Sequence, residues 1–254
     1  MFIKYIMNGP IAGKIDDIRE LVSMDILNIY AFELKYNKNK TFHQYSGDLP
    51  TIVKHQFDLI KKGKIMRTLN WHYNGDIVEN IDGMNELYIS AIGSNGSDKV
   101  FETAHIDGPL FFLPFCTVLR CVVAIKGTSN IVTAFPYIDR EHALLTNDFL
   151  AFDYNRDTHF IYEIDCNENT GSRILLKLHY LITPRFIPRP VARIYKQAHI
   201  LYNSFMRTTF LASQKDTILA KAVNRGTIVY CWFYNNKDAI ITLAGGLLLF
   251  MIWK

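Results

Sequence analysis

From Ile65 to about residue 185 the chain breaks into short runs rich in Val, Ile, Phe, Tyr and Thr, and this rhythm restricts the fold more than any other feature. The runs are Met66 to His72, Glu86 to Ile92, Val100 to His105, Val118 to Ile125, Ile131 to Phe135, Phe149 to Phe152, His159 to Ile164 and Arg173 to Ile182. Turn residues separate them: Asn74-Gly75, Gly93-Ser94-Asn95-Gly96, Gly127-Thr128-Ser129-Asn130 and Asn167-Glu168-Asn169-Thr170-Gly171. Eight such runs in about 120 residues leave hardly any room for helices. The expected architecture is mainly β, an antiparallel barrel or double sheet of the jelly-roll kind.

Helices are expected on either side of it. Ile15 to Ile29 carries apolar residues at roughly helical period, and Ile52 to Lys62 reads as a second helix ending at Gly63. After Pro188-Arg189-Pro190 the chain again reads as helix over Val191 to Leu211. The division that follows is an N-terminal helical region at 1–65, a β domain at 66–188 and a C-terminal helical region at 189–254.

Composition excludes some functions. With 254 residues, 49% of them apolar and 20% charged, the chain can bury a real core and is not disordered. A formal charge of +4 is mild, and apart from Lys61-Lys62-Gly63-Lys64 the basic residues are dispersed, so no nucleic-acid partner is expected. Four cysteines without CxxC spacing read as reduced thiols, and no secretory signal opens the chain, which together suggest a cytoplasmic protein.

Chemistry concentrates at His105-Ile106-Asp107-Gly108 and at His159. In an extended segment residues i and i+2 point to the same face, so His105 and Asp107 can reach one ion together. Two histidines and a carboxylate are the ligand set of a non-haem Fe(II) site with open positions. Chance co-occurrence is the competing explanation in a chain with eight histidines. The final run adds Arg173, Lys177 and His179 on one face, where an all-buried strand would carry Val or Leu. A cationic face inside a barrel suits an anion, with Arg173 the first candidate to clamp a carboxylate and Lys177 the reserve. His179 reads as a packing residue. So do His43 and His55, on the surface or in the core.

In this order, His105-x-Asp107, Leu119-Arg120-Cys121-Val122-Val123, Asn147 to Asp153, Asp157-x-His159 and Arg173-Ile174-Leu175-Leu176, the chain resembles the aspartyl/asparaginyl β-hydroxylase family, which includes lipid A hydroxylases. The resemblance covers about residues 66 to 185. It implies a double-stranded β-helix and an Fe(II)- and 2-oxoglutarate-dependent dioxygenase. It makes His105, Asp107 and His159 the metal-binding catalytic residues, Arg173 the partner of the cosubstrate's distal carboxylate and Arg120 a further residue near the cosubstrate. Three protein ligands would leave three positions, two for the keto acid and one for O2. Asp153, Asn155 or Asp157 would hold the free ring nitrogen of His159.

The substrate stays open between a lipid, a peptidyl Asp/Asn-type side chain and a free small molecule. The alternative function is a cupin-like protein that binds a metal or small molecule without turnover. Finally, Ala239 to Trp253 is an uncharged apolar run of 15 residues, about 22 Å as a helix against a ~30 Å hydrocarbon core. It reads as a membrane-associated tail, with a buried terminal helix as the competing explanation.

Overall fold

The computed structural model describes residues 9–15, 42–90, 104–108, 116–164, 173–213 and 229. Within them the chain forms β1 (Ile11–Lys14), β2 (Phe42–Tyr45), α1 (Thr51–Lys62), α2 (Lys64–His72), β3 (Asp76–Asn80), β4 (Glu86–Ser90), β5 (Thr117–Lys126), β6 (Ile131–Phe135), β7 (Arg140–Ala143), β8 (Asp148–Asp153), β9 (Phe160–Glu163), β10 (Arg173–Pro184) and α3 (Arg189–Ser213). A seven-stranded sheet runs in the order β1-β8-β5-β10-β4-β2, with β3 also on β10, and a three-stranded sheet runs β7-β6-β9. From β4 onward the chain alternates between the two. It goes from β4 in the large sheet to His105, bridged to His159 at the start of β9, then to β5, across to β6 and β7, back to β8, across to β9 and back to β10. Antiparallel pairing throughout, with strands dealt alternately to two sheets, makes this the expected double-stranded β-helix.

Period-two alternation explains how the large sheet is buried on both sides. All twelve residues of β10 are buried. Ile174, Leu176, Leu178, Tyr180 and Ile182 face the helices, packing with Val53, Phe57 and Ile60 of α1 and Ile65 and Leu69 of α2. The opposite parity faces the second sheet, where Tyr88, Val122, Phe135, Leu144, Leu150, Phe152 and Leu175 form a separate apolar cluster. Arg173, Lys177 and His179 share that inward parity.

The structure corrects one element. Met66 to His72 is helical, because Ile65 and Leu69, four apart, are the buried pair that lays α2 on the sheet. Trp71, a strand-like residue by type, is 80% exposed. The helix read over Ile52 to Lys62 is present as α1, with Gly63 N–H closing on Ile60 O at 3.2 Å. The N-terminal part also supplies β1 and β2, which form the two ends of the large sheet's strand order. Ile15 to Ile29 beyond its first residue, Val100 to Thr103 and Ala239 to Trp253 lie outside the described residues. Among the described residues, no helix is long and apolar enough to cross a membrane.

Candidate metal centre

Pairing between His105 and His159 builds the centre. Each donates its backbone N–H to the other's carbonyl, at 3.0 and 2.9 Å. Such an exchange pair sets two side chains next to each other on one face, and the rings stand 4.5 Å apart between centroids. Asp107, two residues on, returns to the same side. One ligating atom from each of His105, Asp107 and His159 can be chosen so that all lie within 4.8 Å of one another. A single ion could therefore be reached by all three.

The protonation states suit such an ion. Burial pushes His159 down to about 4, against the pull of Asp107, so its ring is neutral near pH 7. Its Nδ1 lies 3.1 Å from the backbone carbonyl of Asp157 and, as the protonated nitrogen, leaves the Nε2 lone pair toward Asp107. Asp157 thus holds His159, as the sequence suggested of this segment, but through its main chain. Its side chain fixes the loop instead, accepting from Asp153 N–H at 2.7 Å, and Asp153 accepts from Asn155 N–H at 2.9 Å. Burial pushes Asp157 up to about 7 and Asp153 up to about 6. For Asp107 burial works toward a higher value, but Arg120 and the two histidines outweigh it and hold the carboxyl well below the usual range.

A narrow cavity opens from this cluster between the sheets. It is lined by Asp107, Arg120 and His159 together with Tyr88, Thr133, Phe152, Leu175, Lys177 and Arg173. Arg173 is buried on the inward face of β10. Lys177 lies 3.8 Å from Glu86 Oε2 and 4.5 Å above the Tyr88 ring, and burial lowers it to about 8 despite the attraction of Glu86. Arg120 meets Asp107, Glu86 and His179 together. His179 is wholly buried, accepts from Arg120 and stacks edge-on to Tyr154, which makes it the packing residue expected.

Two polar residues here, Glu86 and His43, belong to the cluster although the sequence does not single out Glu86 and marks His43 only as a surface or packing residue. Glu86 is buried and serves Arg120, Lys177 and His43, the last through Nε2 at 3.2 Å. His43 also packs edge-on against the Tyr88 ring, which itself lines the cavity. The available signal was parity: Glu86 is two residues from Tyr88, on the inward side of β4, where a charge needs a buried partner. A larger groove, about 710 Å³, lies outside the barrel between α1, α2 and the turn after β3. There Lys61 is tied to Asp58 and Asp82.

No family model and no curated protein matches the chain. Among solved structures it is similar to a viral collagen prolyl hydroxylase from Paramecium Bursaria Chlorella virus-1 in complex with 2-oxoglutarate, at 14% identity and a TM-score of 0.46 over 68% of this chain and 96% of that one. It is similar to a Trichoplax adhaerens prolyl hydroxylase with a peptide fragment of hypoxia inducible factor, at 12% identity and a TM-score of 0.43 over 68% and 84% of the two chains. HygX of Streptomyces hygroscopicus, with nickel and 2-oxoglutarate bound, gives 7% identity and a TM-score of 0.43 over 73% and 86%. The strand order gives the double-stranded β-helix independently of these similarities.

Proposed function

We propose that this chain is an Fe(II)- and 2-oxoglutarate-dependent oxygenase that hydroxylates a C–H bond of a lipid or a peptidyl substrate. The observation that carries this reading is the convergence of His105, Asp107 and His159 beside a cavity whose wall holds Arg173 and Lys177. The donor set fits the metal: two imidazoles, one of them held neutral, and one carboxylate kept ionised, all from elements fixed by the barrel. When bound, the iron supplies the oxidising chemistry, with 2-oxoglutarate and O2 converted to succinate and CO2 as one oxygen atom enters the substrate.

The protein's own work is to orient and to exclude. Asp157 fixes the His159 ring, so the metal-facing nitrogen is defined before any ligand arrives. Lys177 and Arg173 both line the cavity beside the triad, so either can meet the distal carboxylate of a diacid held there, and the guanidinium of Arg173 can clamp it through paired hydrogen bonds. Phe135 and Phe152 pack against the His159 ring, at 5.9 and 4.6 Å between centroids, and keep water from that side.

The test is succinate release from 2-oxoglutarate by anaerobically iron-loaded protein on admission of O2, with acyl lipids and Asp/Asn peptides added in turn. Arg173→Ala is expected to raise the 2-oxoglutarate requirement at least tenfold, about 1.4 kcal/mol, while leaving iron binding intact. An unchanged requirement transfers that role to Lys177. Metal binding without succinate release under any condition favours the cupin-like binding protein instead.

A further inference from the structure

The guanidinium of Arg120 is engaged on every side. Nε donates to His179 Nε2 at 3.1 Å, Nη2 donates to Glu86 Oε1 at 3.4 Å, and Nη1 lies 2.8 Å from Asp107 Oδ2. The Tyr154 ring faces the guanidinium carbon at 4.7 Å. These partners are themselves fixed. Glu86 comes from β4 and is shared with His43, His179 comes from β10, and Tyr154 donates its hydroxyl to Asn203 of α3 at 2.8 Å. Swinging Arg120 onto a ligand would strip a cation from two buried carboxylates, which burial makes costly. Its place is therefore beside Asp107.

We propose that Arg120 is a positioning residue that occupies Oδ2 of Asp107, keeps that carboxylate monodentate and so preserves the coordination position that a bound keto acid leaves open. This inference rests on the oxygenase reading above. A six-coordinate ion held by one atom from each of three side chains has three positions left, and a chelating keto acid takes two. Should Asp107 give both oxygens, the keto acid would close the sphere. The histidines do not prevent this, since Oδ1 lies 3.7 Å from His105 Nε2 and Oδ2 lies 3.5 Å from His159 Nε2. Arg120 distinguishes the two oxygens, by drawing the charge of Oδ2 to itself.

Nitric oxide is the probe, because it needs an open position on Fe(II) and its adduct has an electron paramagnetic resonance signal. Wild-type protein loaded anaerobically with Fe(II) is expected to give the signal with and without 2-oxoglutarate. Arg120→Gln is expected to give it without 2-oxoglutarate and to lose it roughly tenfold or more with 2-oxoglutarate, while keeping the keto-acid charge-transfer absorption. Glu86→Gln, which keeps the guanidinium but removes its anchor, should show a smaller fall confined to the same condition. A full signal from Arg120→Gln with 2-oxoglutarate overturns the proposal. So does loss of the charge-transfer band with the signal retained, since Arg120 would then bind the cosubstrate. If Arg120→Gln does not fold, Glu86→Gln decides: a fall only with 2-oxoglutarate supports the clamp, and an unchanged signal overturns it. A wild-type protein that binds Fe(II) but shows no charge-transfer band with 2-oxoglutarate removes the oxygenase reading, and the clamp with it.

Discussion

Gly108 shows how tightly the centre is built. A Cβ there would fall 1.9 Å from Tyr154 Cε1, and Gly108 N–H donates to the Tyr154 carbonyl at 3.0 Å. The glycine that follows His105-Ile106-Asp107 thus serves close approach to the ring that lies under Arg120. Gly108→Ala must displace a buried tyrosine, and the expected cost is about 1–3 kcal/mol, read as a lower urea midpoint with unchanged slope. Lys177 offers a second test at this scale. With its ammonium lowered to about 8, it is charged at pH 7 and loses its proton as pH rises past 8. If it helps hold the keto acid, the KM for 2-oxoglutarate rises above pH 8 in wild type, and Lys177→Met shows the high value at every pH. A wild-type KM that is flat from pH 7 to 9 confines Lys177 to pairing with Glu86.

Elements that bury both faces or alternate cleanly were legible in the sequence, and short edge elements were not. β5, β6, β8 and β10 are rich in Val, Ile, Leu and Phe, so composition marks them as strands. β7, Arg-Glu-His-Ala, is largely exposed and is a strand only because β6 offers it a partner. β1 and β2 are similarly four residues each, defined by their neighbours β8 and β4. The site divided in the same way. His105, Asp107, His159, Arg173 and Lys177 stood out by spacing or by a polar residue on an apolar face, whereas Glu86 offered only its parity with Tyr88 and His43 gains meaning only from its partner on β4. The helix α3 is anchored by one such residue, His199, which is wholly buried, has its Nε2 3.8 Å from Cys116 Sγ and is lowered to about 4 by burial. The unfolded chain takes up a proton at this histidine below about 6.5 and the folded chain does not. The neutral pocket's contribution is therefore full above pH 6.5 and is lost as pH falls toward 4, about 3 kcal/mol at the limit. His199→Leu should flatten part of the loss in thermal midpoint between pH 7 and 4.5. Parallel slopes in variant and wild type would show that His199 titrates normally.

At the scale of the whole molecule, the large sheet has two ends to protect, and the same N-terminal part of the chain covers both. β1 lies on β8 and β2 on β4, so the strands that carry the pocket wall are interior to the sheet. β1 approaches closely: a Cβ on Gly13 would meet the Phe149 ring at 2.6 Å, and Ile15, just beyond the strand, is buried in the core shared with α1 and α2. Two effects are combined here, an apolar plug and a capped edge, and they can be separated. Ile15→Ser removes the plug but keeps the strand; it should cost about 2–4 kcal/mol with the protein still monodisperse. Deleting residues 1–14 keeps Ile15 but leaves the β8 ladder open along Asp148 to Ala151, the residues β1 pairs. An unpaired row of backbone donors and acceptors is a template for a second chain, so this variant should self-associate with rising concentration, measured by light scattering on size-exclusion fractions. Adding charge at the opened edge, with Leu150 and the inward face untouched, should restore the monomer if edge pairing is the cause. A truncated protein that remains monodisperse at every concentration would show that β1 contributes only packing.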